Sequence, residues 1–524
     1  MNNFYRILYY VKLSMLLPLF FIFFINNNAF SQEYGEELPY TNSIYIINSF
    51  SFNIKGITRQ SALVYKGDLK TGEEITGLEN LERYIRNKQQ VLMNERVLEK
   101  VNITYTAGEI RPDGKIPVVI YIESEDTWNI IAVPYPKYSS NTGFELILKG
   151  RDYNFLGTMN PLRLDIGYKY DADGRNSFIM ELDSNTPFRF FGFNWNFIFD
   201  NIFEYRPDVE EHYYFKNTTG LSMELPVKQT TLTFGFTESV ILNAENSDRD
   251  VDKFGEFQSG IYMSSNPFVS WKIPTGVEVG DFGILTYTPE VSAVFNHDFS
   301  QWPLADNRKG PFLSWGHSLG FDRIDWIENF RRGFDVSVDN SYRFDFFRFS
   351  HETEALSSDY SFTAVGHFVF NNSFGISSRV KFRHWFYYEP PYNDQAADVM
   401  RGILNRAVRA DYMLSLNLDI PVKVLNFLPS LWLNQPKLHI FDFELHISPI
   451  LDLAIYHDPV NNVPFDITNT IFCGGLEFIF FPAVMRSLYL RASFAMNFVD
   501  HINPPPKVSG ESSREIFIGI GHHY

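Results

Sequence analysis

The sequence predicts a mainly β protein, a transmembrane β-barrel of about 16–18 antiparallel strands that follows a small α+β domain. Three observations carry this prediction. Apolar and polar residues alternate in one segment after another from residue 126 to the end of the chain. Aromatic residues make up 17% of the 524 residues, whereas charged residues make up only 20%. Beyond the N-terminal leader, no apolar run reaches the roughly 18 residues that a membrane helix needs.

The clearest strand of the predicted barrel covers residues 412–420. Its apolar face carries Tyr412, Leu414, Leu416, Leu418 and Ile420, and its polar face carries Met413, Ser415, Asn417 and Asp419. The same alternation recurs at residues 144–149, 162–170, 178–183, 374–386 and 488–498. Several of these segments keep charged residues on one face, which is costly unless that face meets water. A soluble β-sandwich would alternate too, but the aromatic content and the absence of a second core favour a barrel with a lumen.

The connections between the predicted strands alternate in length. Short turns at 227–229 and 371–373 contrast with long polar loops near 244–255, 298–310, 347–359, 389–410 and 457–470. Outer-membrane barrels have short turns at one end and long loops at the other. The first strand, at 128–138, is interrupted by Pro134 and Pro136, which leaves the strand count between 16 and 18.

The N-terminus has the parts of a secretory signal peptide. Arg6 and Lys12 precede an apolar run at residues 16–25, and small residues follow up to Ser31. That run is too short to span a membrane comfortably, so we expect cleavage after Ser31 and export of the chain. The predicted domains are therefore a signal peptide at 1–31, a linker at 32–43, an α+β domain at 44–125 and the barrel at 126–524.

Residues 44–125 read as strand, helix, helix, strand, strand. An alternating stretch at 46–54 ends at Gly56, and a short helix is expected at 59–66. Apolar residues at 78, 81, 85 and 92 form one helical stripe, and two alternating stretches at 101–105 and 116–122 flank a Pro-Asp-Gly turn. One helical layer on a short sheet is the expected architecture.

Composition and motifs exclude several classes of function. The formal charge of −17 argues against nucleic-acid binding. The single cysteine, Cys473, excludes an intramolecular disulfide. We find no nucleophile elbow, zinc-protease motif or phosphate-binding loop, and His522-His523 is read as ordinary strand histidines. We therefore expect no enzyme activity, no cofactor and no metal.

Five short motifs resemble those of one protein family. They are Asp152–Thr158 near the barrel start, the loop Met400-Arg401-Gly402-Ile403, Leu418–Pro421, Ile450–Ala454 and the aromatic-ended strand Glu515–Tyr524. Together with the α+β domain, they resemble the BamA/TamA superfamily of outer-membrane assembly barrels, the bacterial surface antigen family. The α+β domain resembles a single POTRA (polypeptide-transport-associated) domain, which in that family lies in the periplasm.

The resemblance implies that the Arg401 loop folds into the barrel lumen and that Arg401 pairs with lumenal acids. Asp419 and Asp452 are the candidate partners, because periodicity independently turns both inward. A guanidinium held between two carboxylates suits Arg better than Lys. Two departures bear on this loop, since Ile403 replaces the family's aromatic residue and Ala454 replaces its glycine.

The function implied by the resemblance is assembly of outer-membrane proteins. The POTRA-like domain would receive unfolded outer-membrane or exported polypeptides, with periplasmic accessory subunits and outer-membrane lipid as further partners. A seam between the first and last strands, with Gly519, Gly521 and Tyr524 on the last, would template client strands. The glycines could alternatively relieve crowding at closure. Two other functions stay open: a two-partner-type secretion pore for exported polypeptides, and a passive porin or adhesin.

Overall fold

The computed structural model describes residues 43–139, 143–170, 174, 176–207, 213–243, 260–299, 303–304, 308–351, 355–386, 399–403, 410–459, 462–498 and 514–520. The predicted signal peptide, the linker up to residue 42, and Gly521 and Tyr524 of the predicted seam strand lie outside these residues. Among the described residues, no helix combines the length and apolar character that crossing a bilayer requires.

The N-terminal part of the structure is a four-stranded sheet covered by two helices, which we call the module. Its elements are β1 (Ile44–Lys55), α1 (Gln60–Lys66), β2 (Glu74–Thr76), α2 (Leu78–Asn94), β3 (Leu98–Ala107) and β4 (Lys115–Asp126). The sheet order is β2-β1-β4-β3, with β1 and β4 parallel. The short β2 adds one element to the predicted order, because three residues are too few to show an alternation.

The core of the module lies between α2 and the sheet. Leu81, Ile85 and Leu92, which the helical spacing places on one face, are all buried. They pack in one cluster with inward residues of the sheet such as Ile47 and Val118. Gly77 begins the helix with φ of 87°, a backbone conformation that favours glycine.

The rest of the chain forms one closed antiparallel barrel. Its strands are β5 (Ile130–Ser139), β6 (Gly143–Asp152), β7 (Leu162–Tyr170), β8 (Asn176–Phe190), β9 (Phe193–Tyr205), β10 (Tyr213–Val227), β11 (Thr230–Asn243), β12 (Gly260–Glu278), β13 (Ile284–Asp298), β14 (Phe312–Ile327), β15 (Phe330–Asp345), β16 (Leu356–Asn371), β17 (Phe374–Phe386), β18 (Tyr412–Asp419), β19 (Val422–Phe427), β20 (Phe443–His457), β21 (Ile471–Pro482), β22 (Leu490–Asn497) and β23 (Arg514–Ile520). Short helices α3 (Phe346–Ser350) and α4 (Pro429–Trp432) lie in connections.

The described strands give eighteen positions around the barrel, within the predicted range. β18 and β19 both lie between β17 and β20, so they are two halves of one strand. The break falls at Pro421, which has no N–H to donate to a neighbouring strand. Despite Pro134 and Pro136, β5 pairs with β6 along its whole length, and β5 meets β23 to close the barrel. A first strand beside the seam is a position that tolerates proline.

The barrel wall is apolar outside and polar inside. Large apolar side chains that alternate along the strands are exposed on the outer surface, for example Leu146, Phe178, Phe236, Phe368 and Phe478. Inward charges pair with one another across neighbouring strands: Lys149 and Arg151 with Asp165, Lys169 with Glu145, Arg163 with Asp183, and Arg383 with Asp359. An exterior that is apolar in strand after strand suits lipid, which makes this a transmembrane barrel.

The two ends of the barrel differ. The end that carries the module, which we call the module-side rim, has two-residue turns at 191–192, 228–229, 328–329 and 372–373. The longest connection at this rim is residues 428–442, between β19 and β20. The connection between β17 and β18 starts from the opposite end, and its described residues include the Arg401 loop, 399–403.

Candidate functional site

Arg401 lies inside the barrel, where its side chain is 5% exposed. Its Nε donates to Oδ2 of Asp452 at 3.0 Å, and its Nη2 donates to Oδ1 of the same carboxylate at 2.6 Å. The Arg401 backbone N–H also donates to Asp452 Oδ2, at 2.7 Å. On its other side, Nη1 lies 2.7 Å from Oδ1 of Asp419. One guanidinium thus holds two carboxylates from neighbouring strands, with the two-pronged geometry that only Arg offers.

Two further ionisable residues, Glu477 and Arg491, complete this group. Glu477 on β21 lies 3.9 Å from Nη1 of Arg401 and accepts a hydrogen bond from Nη1 of Arg491 at 3.3 Å. Glu477 is 1% exposed and Arg491 is 7% exposed. Since buried charges are stable only when they are paired, each member of this group depends on the others.

Gly402 connects the loop to the last strand. Its N–H donates to Oε2 of Glu515 on β23, at 2.9 Å. Its φ is 90°, and a Cβ at this position would lie 2.8 Å from the backbone nitrogen of Met496 on β22. Only glycine therefore fits here without strain. We call Arg401, Gly402, Asp419, Asp452, Glu477, Arg491 and Glu515 the Arg401 cluster.

Apolar residues of the loop pack against the inner wall of the barrel. Met400 is 2% exposed and Ile403 is 4% exposed, in a cluster that also contains Met413, Ala454 and Cys473. The backbone oxygen of Val399 accepts hydrogen bonds from Arg379 and Asn417, both at 2.9 Å. The aliphatic side chain at 403 is therefore buried against the inner wall of the barrel.

The structure brings together six of the residues that the sequence suggested for this loop, namely Met400, Arg401, Gly402, Ile403, Asp419 and Asp452. Glu477, Arg491 and Glu515 were not among them. Each is a charged residue within an alternating strand, and that was the available signal. Gly521 and Tyr524 lie outside the described residues.

Gly519 lies at the seam. A Cβ there would lie 2.2 Å from the ring of Phe517 on its own strand and 2.7 Å from the hydroxyl oxygen of Tyr135 on β5. The position is crowded, so of the two explanations for this glycine, local geometry favours relief of crowding at closure.

The module contacts the rim at the motif near the barrel start. Asn154, which is fully buried, donates from Nδ2 to Thr58 Oγ1 at 2.7 Å and to Asp126 Oδ2 at 3.2 Å. The Arg59 N–H donates to the Gly157 carbonyl at 2.9 Å. Gly157 has φ of 72°, and a Cβ there would meet the Ile57 oxygen at 2.1 Å. This turn is therefore shaped to receive the module.

A second contact is centred on Arg96, between α2 and β3. Its Nε donates to the Arg486 carbonyl, and its Nη2 donates to Asn329 Oδ1 at 3.2 Å. Its guanidinium lies 4.0 Å from the ring centroid of Trp326. Burial lowers the pKa of the Arg96 guanidinium to about 10, so it stays protonated at neutral pH. Close by, Asn94 donates to Asp325 Oδ1 at 2.9 Å and Ser487 donates to the Arg96 carbonyl at 2.8 Å.

A third contact lies between these two. The Tyr65 hydroxyl donates to Oε1 of Glu224, near the end of β10, at 3.1 Å. Partial burial, with a smaller contribution from Glu224, raises the pKa of Tyr65 to about 12. The contacted turns, β6–β7, β14–β15 and β21–β22, are spread around the strand order. A module that reaches all of them extends across the mouth of the barrel.

No protein-family model matches the chain, and no curated protein matches it. The solved structures to which the chain is similar include three that match it at low identity. The structure of BamA from Haemophilus ducreyi lacking POTRA domains 1–3 is 12% identical over 91% of this chain and 85% of that one, with a TM-score of 0.39. CdiB from Acinetobacter baumannii is 12% identical over 91% and 74%, with a TM-score of 0.48.

CdiB from Escherichia coli is 7% identical over 94% of this chain and 92% of that one, with a TM-score of 0.37. Each TM-score lies under 0.5 and each identity under 25%. The strand order of this chain is that of a transmembrane barrel of eighteen strand positions, with an α+β module docked on one rim.

Proposed function

We propose that this chain is an outer-membrane assembly factor of the BamA/TamA type, with its module in the periplasm. The module receives unfolded outer-membrane polypeptides, and the β5–β23 seam templates their insertion. The observation that carries the proposal is that an open strand edge of the module and the seam of the barrel lie at the same part of the rim.

The open edge belongs to β3, which ends the sheet order and pairs on its outer side with no strand in the described part of the chain. One backbone group of this edge is already bonded, because the Ile103 N–H donates to Oε1 of Gln89 on α2 at 3.2 Å. Other N–H and C=O groups of such an edge can add an extended peptide as a new strand. β3 begins just after Arg96, which is bound to the β21–β22 turn beside the last strand. β4 leads into β5, the first strand of the seam, through residues 127–129. A polypeptide added to β3 would therefore start close to the seam.

The Arg401 cluster supports the same proposal. Gly402 binds Glu515 on β23, so the lumenal loop holds the last strand from inside. Because β23 is held from the lumen, it can exchange its pairing with β5 for pairing with a client strand while the barrel stays folded. A client strand that enters there would have its backbone N–H and C=O groups paired by the seam. In lipid alone, each unpaired backbone group would cost several kcal/mol.

Site-specific photo-crosslinking in cells tests the proposal. A photoreactive residue is placed at Thr104 or Thr106, which are exposed on β3, and in a matched control at Glu79, which is exposed on α2. We expect crosslinks from β3 to several unfolded barrel proteins, none from the control, and a general loss of assembled barrels on depletion of this chain.

Other outcomes would replace the proposal. Loss of one exported substrate alone, with barrel proteins still assembled, would identify a two-partner-type secretion pore. If every barrel protein and every exported protein stays at its normal level after depletion, the chain is a passive porin or adhesin, which is the remaining alternative.

A further inference from the structure

The connection between β19 and β20 carries an exposed apolar surface that the proposed function does not use. We call residues 428–442 the rim segment. It contains α4 and a short 3₁₀ helix, Pro436–Phe441. Five of its large apolar side chains are more than half exposed: Leu431 at 70%, Trp432 at 62%, Leu433 at 63%, Ile440 at 58% and Phe441 at 56%. So many large apolar side chains exposed in one short segment mark an interaction surface.

The rim segment is held in a fixed conformation. Asp442, which is 2% exposed, accepts hydrogen bonds from the Ser430 N–H at 3.0 Å and from the Ser430 hydroxyl. It also lies 2.9 Å from Nδ1 of His439. The Asp442 carbonyl accepts from the Ala483 N–H at 2.9 Å, which ties the segment to the next turn of the rim. The apolar side chains are thus presented on a braced support.

The apolar surface of the rim segment is continuous with the lipid-facing wall of the barrel. The Trp432 ring packs edge-on against Phe427, with 5.1 Å between centroids. Phe427 contacts Phe443 at 5.2 Å, and Phe443 contacts Phe480 at 4.7 Å. Phe427 and Phe443 are directly paired across β19 and β20, so both lie on the same, outer face. Phe478, on the same face of β21, is 44% exposed.

We propose that the rim segment inserts into the module-side leaflet of the bilayer, at the boundary between headgroups and acyl chains. Continuity with the lipid-facing wall selects lipid as the occupant. The residue types agree, because Trp is enriched at that boundary and Lys437, which is exposed in the same segment, can reach lipid phosphates. The inserted segment would fix the depth of the barrel close to β20–β23. This inference does not depend on the assembly function.

Depth-resolved fluorescence quenching tests the inference. The full chain, carrying Cys473→Ala to remove its own thiol, is reconstituted in phosphatidylethanolamine–phosphatidylglycerol vesicles and labelled with an environment-sensitive fluorophore at Leu431→Cys. The matched control is Gln229→Cys, in an exposed two-residue turn at the same rim. We expect lipids brominated near the carbonyl to quench most of the emission at 431 and little at 229, whereas aqueous iodide does the reverse.

Two results would overturn the inference. Equal quenching of both labels by iodide would show that the rim segment stays in water. Protection of the label at 431 from both quenchers would show that protein, rather than lipid, covers it. If Leu431→Cys does not fold, as judged by loss of heat-modifiable migration, Leu433→Cys gives the same readout from the same surface.

Discussion

Two buried arginines hold this molecule together in different ways. Arg401 in the lumen contacts the carboxylates of Asp452 and Asp419, with Glu477 nearby. Arg96 at the module–rim contact donates to carbonyl oxygens and lies over an aromatic ring. Removing the first takes away the cation that buried carboxylates share, whereas removing the second leaves neutral groups that water can satisfy. The lumenal cluster is therefore built to stay closed, and the module–rim contact can open at modest cost.

The largest expected effect is that of Arg401→Ala. Without the guanidinium, the buried Asp452 and Asp419 carboxylates lose the cation that they share, so we expect a loss of about 3–5 kcal/mol in the free energy of unfolding. This loss is measured by titrating the protein in lipid with urea and following the heat-modifiable migration of the barrel. Arg401→Lys keeps the charge and loses the two-pronged bond, so its free energy of unfolding should lie between those of the wild type and Arg401→Ala. If Arg401→Ala has the urea midpoint of the wild type, Arg401 does not anchor the loop in the lumen and the loop is an ordinary solvated one.

Gly402→Ala tests whether the loop requires its backbone shape. The positive φ costs about 1–2 kcal/mol for any residue with a Cβ, and the close Met496 nitrogen adds overpacking of about 1–3 kcal/mol. The control is Gly192→Ala, where φ is 83° but nothing lies within 4 Å of a Cβ. The same urea titration should show a larger loss at 402 than at 192. Equal losses would mean that backbone strain alone matters.

Arg96→Ala tests the weaker contact. We expect a loss of about 1.5–3 kcal/mol from docking, with the barrel itself unchanged. Limited proteolysis should cut the connection at 127–129 faster, while heat-modifiable migration of the barrel stays the same. Arg86→Ala is the control, since Arg86 is an exposed residue of α2 paired only with Glu82 at 3.6 Å among the contacts the structure gives it. A barrel that unfolds with Arg96→Ala would contradict independent docking.

Glu515→Ala has the smallest expected effect on stability, and it tests the link to the last strand. The Gly402 N–H loses its acceptor, at a cost of about 1–3 kcal/mol. Glu515→Gln keeps an acceptor oxygen and should lie closer to the wild type. Urea titration of both variants separates the hydrogen bond from the charge. If Gln costs as much as Ala, the negative charge, rather than the bond to Gly402, is what the cluster needs.

Much of the fold follows from local pattern. Alternation along 412–420 placed Ser415, Asn417 and Asp419 on one face, and all three are buried in the lumen. The helical stripe at 81, 85 and 92 is the buried face of α2. A side chain's face is set by parity along its own strand or helix, so one segment suffices to predict it.

Other features depend on which segments become neighbours. Glu477 and Glu515 join the Arg401 cluster only because strand register brings β21 and β23 level with a loop that is distant in sequence. The break between β18 and β19 could be suspected from Pro421, but its effect on the strand count required the pairing with β17 and β20.

The sequence by itself determined the inward positions of Asp419 and Asp452, the order of helices and strands in the module apart from the short β2, and the apolar exterior of the barrel. Tertiary structure alone decided that the module extends across the mouth, that Arg96 holds it there, and that the loop reaches the last strand through Glu515. The physical reason is the range of the information. Periodicity is local, whereas docking and closure depend on how eighteen strand positions are staggered around the barrel.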